Sequence, residues 1–278
     1  MYKRQVEVDA ISNSKVLDVW EDLTGVRSIP GIDMKAADIV VSFNEDFLSS
    51  SIPQQLSSDY AFRRKPGKGM LRHIHLESNL SLTGSNADKR IKLKPSQVEF
   101  SLAFLLNFVS GTKYHVGKID KILTDQLERV AKELIAAKGK SLILVGGNST
   151  SNAYLCAALN AALKNFGSTI RPDRPIYTQS GSDLAFDNAM ADMNQGQVGV
   201  LVIAGPNPVY NRIGFDLALN NVEYSLSLTD RLDETATLTD AAAPVPHYLE
   251  SWADFAPTNI DFSVSQPVIR PLFNSKPV

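Results

Sequence analysis

Apolar and polar positions along this chain change their period several times, and each change predicts an element. In SKVLDVWEDLTG (14–25), Val16, Leu17, Trp20 and Leu23 fall on one side of a helix, and Gly25 is a stop. ADIVVSF (37–43) is a continuous apolar run, as expected of a strand buried on both faces. LRHIHLE (71–77) alternates and predicts a second strand. Two stretches lack a period: 49–70, rich in Ser, Pro, Gly and basic residues, predicts a long loop, and 78–97 predicts irregular structure. Helices are predicted over 97–109 and 118–138. In the second, Ile119, Ile122, Leu123, Leu127, Val130, Leu134 and Ile135 recur at helical spacing ahead of Gly139.

From residue 141 the pattern becomes a repeat. Strands are predicted at 141–147, 175–178, 198–205 and 223–230, and helices at 148–167, 182–196 and 210–220. Apolar strands alternating with helices argue for an α/β fold of mostly parallel sheets flanked by helices, Rossmann-like in type. The tail, 241–278, carries six prolines (244, 246, 257, 267, 271 and 277) and predicts an extended, mostly irregular segment. Two lobes are expected: 1–112, an α/β lobe with a long irregular insertion, and 113–278, a second Rossmann-like lobe ending in the tail.

Composition narrows the function classes. The chain has 278 residues, a net charge of −2 and 21% charged residues, which carries no nucleic-acid footprint. The one basic cluster, Arg63, Arg64, Lys65 and Lys68, reads as a solvated loop. No apolar stretch approaches the ~20 residues that span a bilayer. The opening MYKRQVEVD has no apolar core of a signal peptide, so none is expected in this chain. The single cysteine, Cys156, lies in an apolar helical pattern and reads as a small buried hydrophobe rather than a reactive thiol.

Three stretches carry candidate chemistry. In LVGGNSTSNAYL, Gly146, Gly147 and Asn148 end a strand and open a helix, where backbone N–H groups can approach a phosphate. Their spacing is neither GxGxxG nor GxxxxGK[ST], so a tight strand-to-helix turn is the preferred reading. In LVIAGPNPVYN, Gly205 ends a strand, Pro206 fixes its own φ, and Pro208 restricts Asn207 to extended conformations. The result is a rigid turn at the strand end where parallel sheets bind ligands, or a connector shaped by packing alone. RHIHLE places His73, His75 and Glu77 on one strand face. That is metal-ligand chemistry without an identifiable further ligand, and an ordinary polar strand face is preferred.

The last sixty residues carry a family likeness. LSLTDRLDETATLTDAAAPVPHYLESWADF followed by SVSQPVIRPLF resembles the molybdopterin oxidoreductase superfamily. The counterparts are Asp230, Glu234-Thr235-Ala236, Asp240, Ala243-Pro244, the stretch His247–Asp254 and the stretch Gln266–Leu272. AGPNP resembles the family's phosphate-side loop, and LNAALKNFGSTI one of its helices. SFNEDFLSS, GKGMLRHIHLESNLSLTGSNADKRIKLKPSQ and VPHYLESW bring the likeness closest to the molybdopterin-oxidoreductase-like domain of the iron–sulfur subunit of alternative complex III, a bacterial quinol:acceptor oxidoreductase.

The resemblance implies a pterin dinucleotide held at Gly146, Gly147, Asn148, Gly205, Asn207 and Pro208, yet the chain departs from that pattern. No cysteine precedes ADIVVSF, where the family's metal ligand lies. At Ser42-Phe43-Asn44-Glu45-Asp46, Phe43 replaces a glycine, and two carboxylates stand where a pyrophosphate needs donors. Pro206 removes one N–H from the other turn. The resemblance therefore implies a cofactor-free structural or assembly domain of a respiratory electron-transfer subunit, with no catalytic residues and no metal of its own. Its implied partners are a downstream ferredoxin-like cluster domain and other subunits of a membrane-bound quinol oxidoreductase, on the periplasmic side of the bacterial membrane, with no nucleic acid. The alternative is a fragment of an active molybdopterin-dependent oxidoreductase binding molybdopterin guanine dinucleotide.

Overall fold

A computed structural model describes residues 4–49, 54–67 and 69–276. The chain forms two compact units. The larger holds Lys15–Thr178; the smaller joins the residues up to Ser14 to the segment from Gln179 onward. This differs from the expected lobes 1–112 and 113–278, and the reason is sheet pairing. A strand beyond residue 140 completes the sheet begun by ADIVVSF, so residue 112 falls inside the larger unit.

The larger unit contains α1 (Ser14–Thr24), β1 (Ile29–Ile32), β2 (Ile39–Phe43), α2 (Gln54–Arg63), β3 (Arg72–Glu77), α3 (Leu82–Ser85), β4 (Lys89–Lys92), α4 (Val98–Ser110), α5 (Lys121–Ala136), β5 (Ser141–Val145), α6 (Thr150–Ala162) and β6 (Ile170–Ile176). Its main sheet runs β4-β3-β2-β5, every pair parallel. Renumbered by chain order, that is the 3-2-1-4 arrangement of a Rossmann half, and its direction reverses between β2 and β5. On one face Ile39, Val41, Phe43, Ile74, Leu76 and Ile143 pack against Leu102, Leu105, Leu127, Val130 and Leu159 of α4, α5 and α6. On the other, Val40, Leu142 and Leu144 meet Phe47, Leu56 and Tyr60. Burial on both faces explains the unbroken apolar run of β2.

Two expectations fail here. The stretch 49–70 contains α2, whose buried Leu56 and Tyr60 are four residues apart, and 78–97 contains α3 and β4. Propensity is poor in both, and burial against the sheet supplies what propensity does not. The expected strand 175–178 is the end of the longer β6, which pairs antiparallel with β1. Lys68 lies outside the described residues. Arg63 and Arg64 are not free in solvent but paired with Asp38 and Asp88.

The smaller unit contains α7 (Asp183–Asn194), β7 (Val200–Ala204), α8 (Pro208–Asn211), α9 (Phe215–Leu219), β8 (Tyr224–Thr229), α10 (Glu234–Leu238), β9 (Ala241–Pro244), β10 (Ala253–Phe255) and β11 (Ser263–Ser265). Its parallel sheet runs β7-β8-β9. The helix expected over 210–220 is split into α8 and α9 by Gly214, whose φ of 80° ends helical geometry. One sheet face is covered by Phe186, Met193, Phe215, Ala218 and Leu219, with Phe186 and Phe215 stacked at 5.7 Å. The tail is extended as expected, with β10 and β11 forming an exposed hairpin. No helix among the described residues is long and apolar enough to cross a membrane.

Candidate functional site

In a Rossmann-like half-sheet the ligand crevice lies outside the carboxyl ends of the strands, at the point where strand order reverses. Here that point is between β2 and β5. The loops that meet there are Asn44-Glu45-Asp46 and Gly146-Gly147-Asn148.

The two loops pack closely at Gly146. The Gly146 N–H donates to the Phe43 carbonyl at 2.9 Å. A Cβ on Gly146 would stand 2.5 Å from the Asn44 carbonyl oxygen and 3.0 Å from Glu45 Oε2. Asn44 reaches this position through a left-handed backbone, φ 48°, fixed by its N–H on the Leu76 carbonyl and by Ser78 N–H on its Oδ1. Glu45 is half-buried; burial first, and the Asp46 charge second, push its carboxyl above the ordinary value. Asp46 shifts the other way: burial opposes ionisation, but Thr83 N–H at 2.9 Å and neighbouring hydroxyls hold the charged form. Asn148 turns back to accept from Lys15 N–H at 2.9 Å, and Ser149 caps α6. Gly147, at φ 90°, has open space around it.

A pyrophosphate does not fit this loop. It needs backbone donors aimed outward and positive potential. The Gly146 N–H is already used, and a carboxylate lies against the glycine. The positions expected to form one cradle belong to two units. Gly146, Gly147 and Asn148 lie in the larger unit; Gly205, Asn207 and Pro208 lie in the smaller.

The Gly205–Pro208 turn has its own partner, and it is another stretch of the family likeness. Asn207 Nδ2 donates to Glu234 Oε2 at 2.6 Å, while its Oδ1 accepts from Thr235 Oγ1 at 2.7 Å and Thr235 N at 3.3 Å. Val209 N–H donates to Thr235 Oγ1 at 3.1 Å. The GPNP and ETA segments thus form one clasp joining α8 to α10. Pro206 and Pro208 stiffen the turn so that the Asn207 amide meets both partners. Gly205, at φ 88°, has open space beside it.

A second polar site lies under α2 on the same sheet. His73, His75 and Glu77 point to one face, as alternation requires, and all three are buried. Tyr60 Oη lies 3.0 Å from His73 Nδ1, and His73 Nε2 lies 3.2 Å from Ser42 Oγ. Ser42 Oγ lies 2.6 Å from His75 Nδ1, and His75 Nε2 lies 3.1 Å from Glu77 Oε2. Glu77 accepts from Ser81 N–H at 3.1 Å and from Arg90 Nε. Burial opposes its ionisation, but the Ser81 and Arg90 bonds hold its carboxyl below the ordinary value. Burial lowers His73 to about 3, aided by His75 and Arg64. Burial also lowers His75, against the pull of Glu77.

Among the described residues no group of His, Cys, Asp and Glu has metal-holding geometry. Sequence reasoning grouped the two histidines with Glu77 but missed Ser42 and Tyr60. The signal for Ser42 was available: it is the polar letter in a strand otherwise apolar on both faces. Tyr60 sat in a stretch read as loop. Cys156 is the buried hydrophobe expected, its thiol pushed up to about 12 by burial.

The sequence matches no family model and no curated protein. The fold does match solved structures. Acetylene hydratase from Pelobacter acetylenicus aligns over 95% of this chain and 48% of its own, with TM-score 0.69 and 13% identity. A formyltransferase/hydrolase complex (FhcABCD) from Methylorubrum extorquens, solved with methylofuran, aligns over 92% of this chain and 77% of its own, with TM-score 0.56 and 10% identity. The chain spans about half the length of acetylene hydratase. At these identities the likeness is one of fold: a mixed α/β, Rossmann-like arrangement of parallel sheets flanked by helices.

Proposed function

We propose that this chain is a cofactor-free structural and assembly domain with a molybdopterin-oxidoreductase-like fold, of the kind found in the iron–sulfur subunit of alternative complex III. The observation that carries the reading is the close packing where strand order reverses between β2 and β5, with Gly146 against Asn44 and the Glu45 carboxyl. A domain that keeps the fold while crowding one of its ligand loops with a carboxylate and backbone supports a scaffold role. The sequence resemblance supports the electron-transfer setting, and with it a periplasmic location, a ferredoxin-like cluster domain and further subunits as partners. Exposed apolar surface in the smaller unit supports the assembly role. Val200, Val202 and Tyr224 on the open sheet face, and Trp252, Phe255, Phe262 and Val264 in the tail, are more than a third exposed. Patches of that kind mark protein contacts.

The test is chemical. Purified full-length protein is assayed for molybdenum and tungsten by mass spectrometry and for pterin by fluorescence of an oxidised extract. Background levels of both are expected; stoichiometric metal or pterin overturns the reading.

Gly147 and Gly205 favour a second reading, a fragment of an active molybdopterin oxidoreductase. Both are left-handed turns with room beside the backbone, as close approach of a dinucleotide requires. That reading predicts extractable pterin in the same assay.

A further inference from the structure

α6 has two sides. Cys156 and Leu159 turn into the core against the main sheet of the larger unit. Ala158 and Ala161, with Tyr154 one turn earlier, stay exposed. Spacings of four and three residues put 154, 158 and 161 on one side of the helix. That side lines a cavity of about 560 Å³, and the buried Ala157 belongs to the same lining. Small-molecule ligands occupy cavities of about 300–1,000 Å³.

The opposite walls come from three other places in the larger unit: Leu23 at the end of α1, Tyr114 between α4 and α5, and Phe166 after α6. Each ring among them is anchored by a residue outside the lining. Asn107 of α4 grips the Tyr114 backbone twice. Its Nδ2 donates to the Tyr114 carbonyl at 2.9 Å, and its Oδ1 accepts from the Tyr114 N–H at 2.8 Å. The Tyr154 hydroxyl donates to Asp22 Oδ2 at 2.8 Å. Phe166 lies against Trp20, with ring centroids 6.2 Å apart. Walls fixed before a ligand arrives lower the ordering cost of binding it.

The chemistry of the lining selects the ligand. No Lys, Arg, His, Asp or Glu lines the cavity. A charged compound would give up hydration there and meet no counter-charge. The Thr24 hydroxyl, also in the lining, is already spent on the Trp20 carbonyl at 2.7 Å, as Tyr154 is on Asp22. Three aromatic rings around a bed of alanines favour a flat ring system, which stacks on rings and lies close to small side chains.

We propose that this cavity is a binding site for a neutral, apolar compound built on flat rings, seated on the alanine side of α6 between Tyr114, Tyr154 and Phe166. None of the lining residues belongs to the 44–46, 146–148 or 205–208 loops, so the site stands apart from the cofactor question.

Two probes with one ring skeleton test it. N-phenyl-1-naphthylamine is neutral; 1-anilinonaphthalene-8-sulfonate carries an added sulfonate. Each is titrated into the full chain bearing Trp252→Phe, which leaves Trp20 as the single tryptophan, and energy transfer from Trp20 is read. Phe166 both lines the cavity and touches Trp20, so a probe seated there lies within transfer range. Saturable transfer to the neutral probe is expected, with binding at least tenfold tighter than that of the sulfonate. Ala158→Phe and Ala161→Leu fill the cavity from exposed helix positions, and each is expected to weaken the neutral probe at least tenfold. Ala191→Phe, at an exposed position of α7 in the smaller unit, is expected to change nothing. Trp20 emission without probe shows that the variants are folded. A lack of saturable transfer, equal binding of the sulfonate, unchanged binding in both filled variants, or the same loss in Ala191→Phe overturns the site.

Discussion

The two units answer the same sequence signal differently. ADIVVSF and VGVLVIAG are both continuous apolar runs, and each forms a strand of a parallel sheet. In the larger unit β2 is buried at all five positions. In the smaller unit β7 is buried only at Ile203, while Val200 and Val202 are 55% and 53% exposed. Parallel sheets are normally covered on both faces. The larger unit supplies both covers from its own chain: α4, α5 and α6 on one side, α2 with β1 and β6 nearby on the other. The smaller supplies one. An apolar run therefore reports what a strand needs covered, and says nothing of whether the same chain provides the cover.

The sharpest way to break this comparison is a truncation in each sheet's surroundings. Leu127→Ala removes a fully buried side chain from the larger unit and is expected to cost about 3–5 kcal/mol. Val202→Ala on the open face is expected to cost below about 0.5 kcal/mol. Urea denaturation read from tryptophan fluorescence checks both. Trp20 is buried in the larger unit and Trp252 exposed in the smaller, so Trp252→Phe leaves a reporter of the larger unit alone. Equal losses would remove the contrast.

Acid is expected to act on the larger unit first. Its His73 and His75 are held neutral, with values below the ordinary 6.5, so the folded state binds fewer protons than the unfolded one as pH falls. Their contribution is present above 6.5 and is lost on acidification, by up to about 1.4 kcal/mol per pH unit for each ring. Lowered Glu77 adds loss of the same sign below its ordinary 4.5. Denaturation midpoints of the Trp252→Phe protein at pH 7 and 5 measure this; a midpoint unmoved between them contradicts it.

The two ligand-type turns should separate as well. Gly146→Ala pushes a methyl into the Asn44 carbonyl and is expected to cost up to about 3 kcal/mol. Gly205→Ala meets no atom and carries only the left-handed backbone, about 1 kcal/mol. Thermal melts of the two variants compare a crowded turn with an open one, and equal shifts would deny the crowding at Gly146.

The clasp gives a modest, local effect. Asn207→Ala strands Thr235 and Glu234 and is expected to cost about 1 kcal/mol, confined to the smaller unit. Hydrogen exchange at α8 and α10 is the readout; a loss of protection in α5 would show that the effect is not local.

Much of this was legible in the letters. The helical stripe of α5, the runs of β2, β5, β7 and β8, and the strand–helix alternation predicted an α/β fold of parallel sheets, because burial on two faces demands continuous apolar runs. The sequence also showed two carboxylates, Glu45 and Asp46, in the loop after β2. Other features were not legible. α2 has a weak pattern, and only contact with the sheet makes Leu56 and Tyr60 its buried side. The pairing of Asn207 with Glu234 and Thr235 spans 27 and 28 residues, and no spacing rule announces it.

What the sequence determined by itself is therefore local: which segments must be strands or helices, that the β2 loop is acidic, and that the 205–208 turn is rigid. These follow from periodicity, charge and the fixed φ of proline. The tertiary structure alone decided the rest. It set the unit boundary, because β5 joins β2 across a hundred residues of intervening chain. It put the acidic loop against Gly146. It also linked Ser42 of one strand to two histidines of its neighbour, because parallel register sets Val40 beside His73 and Ser42 beside His75.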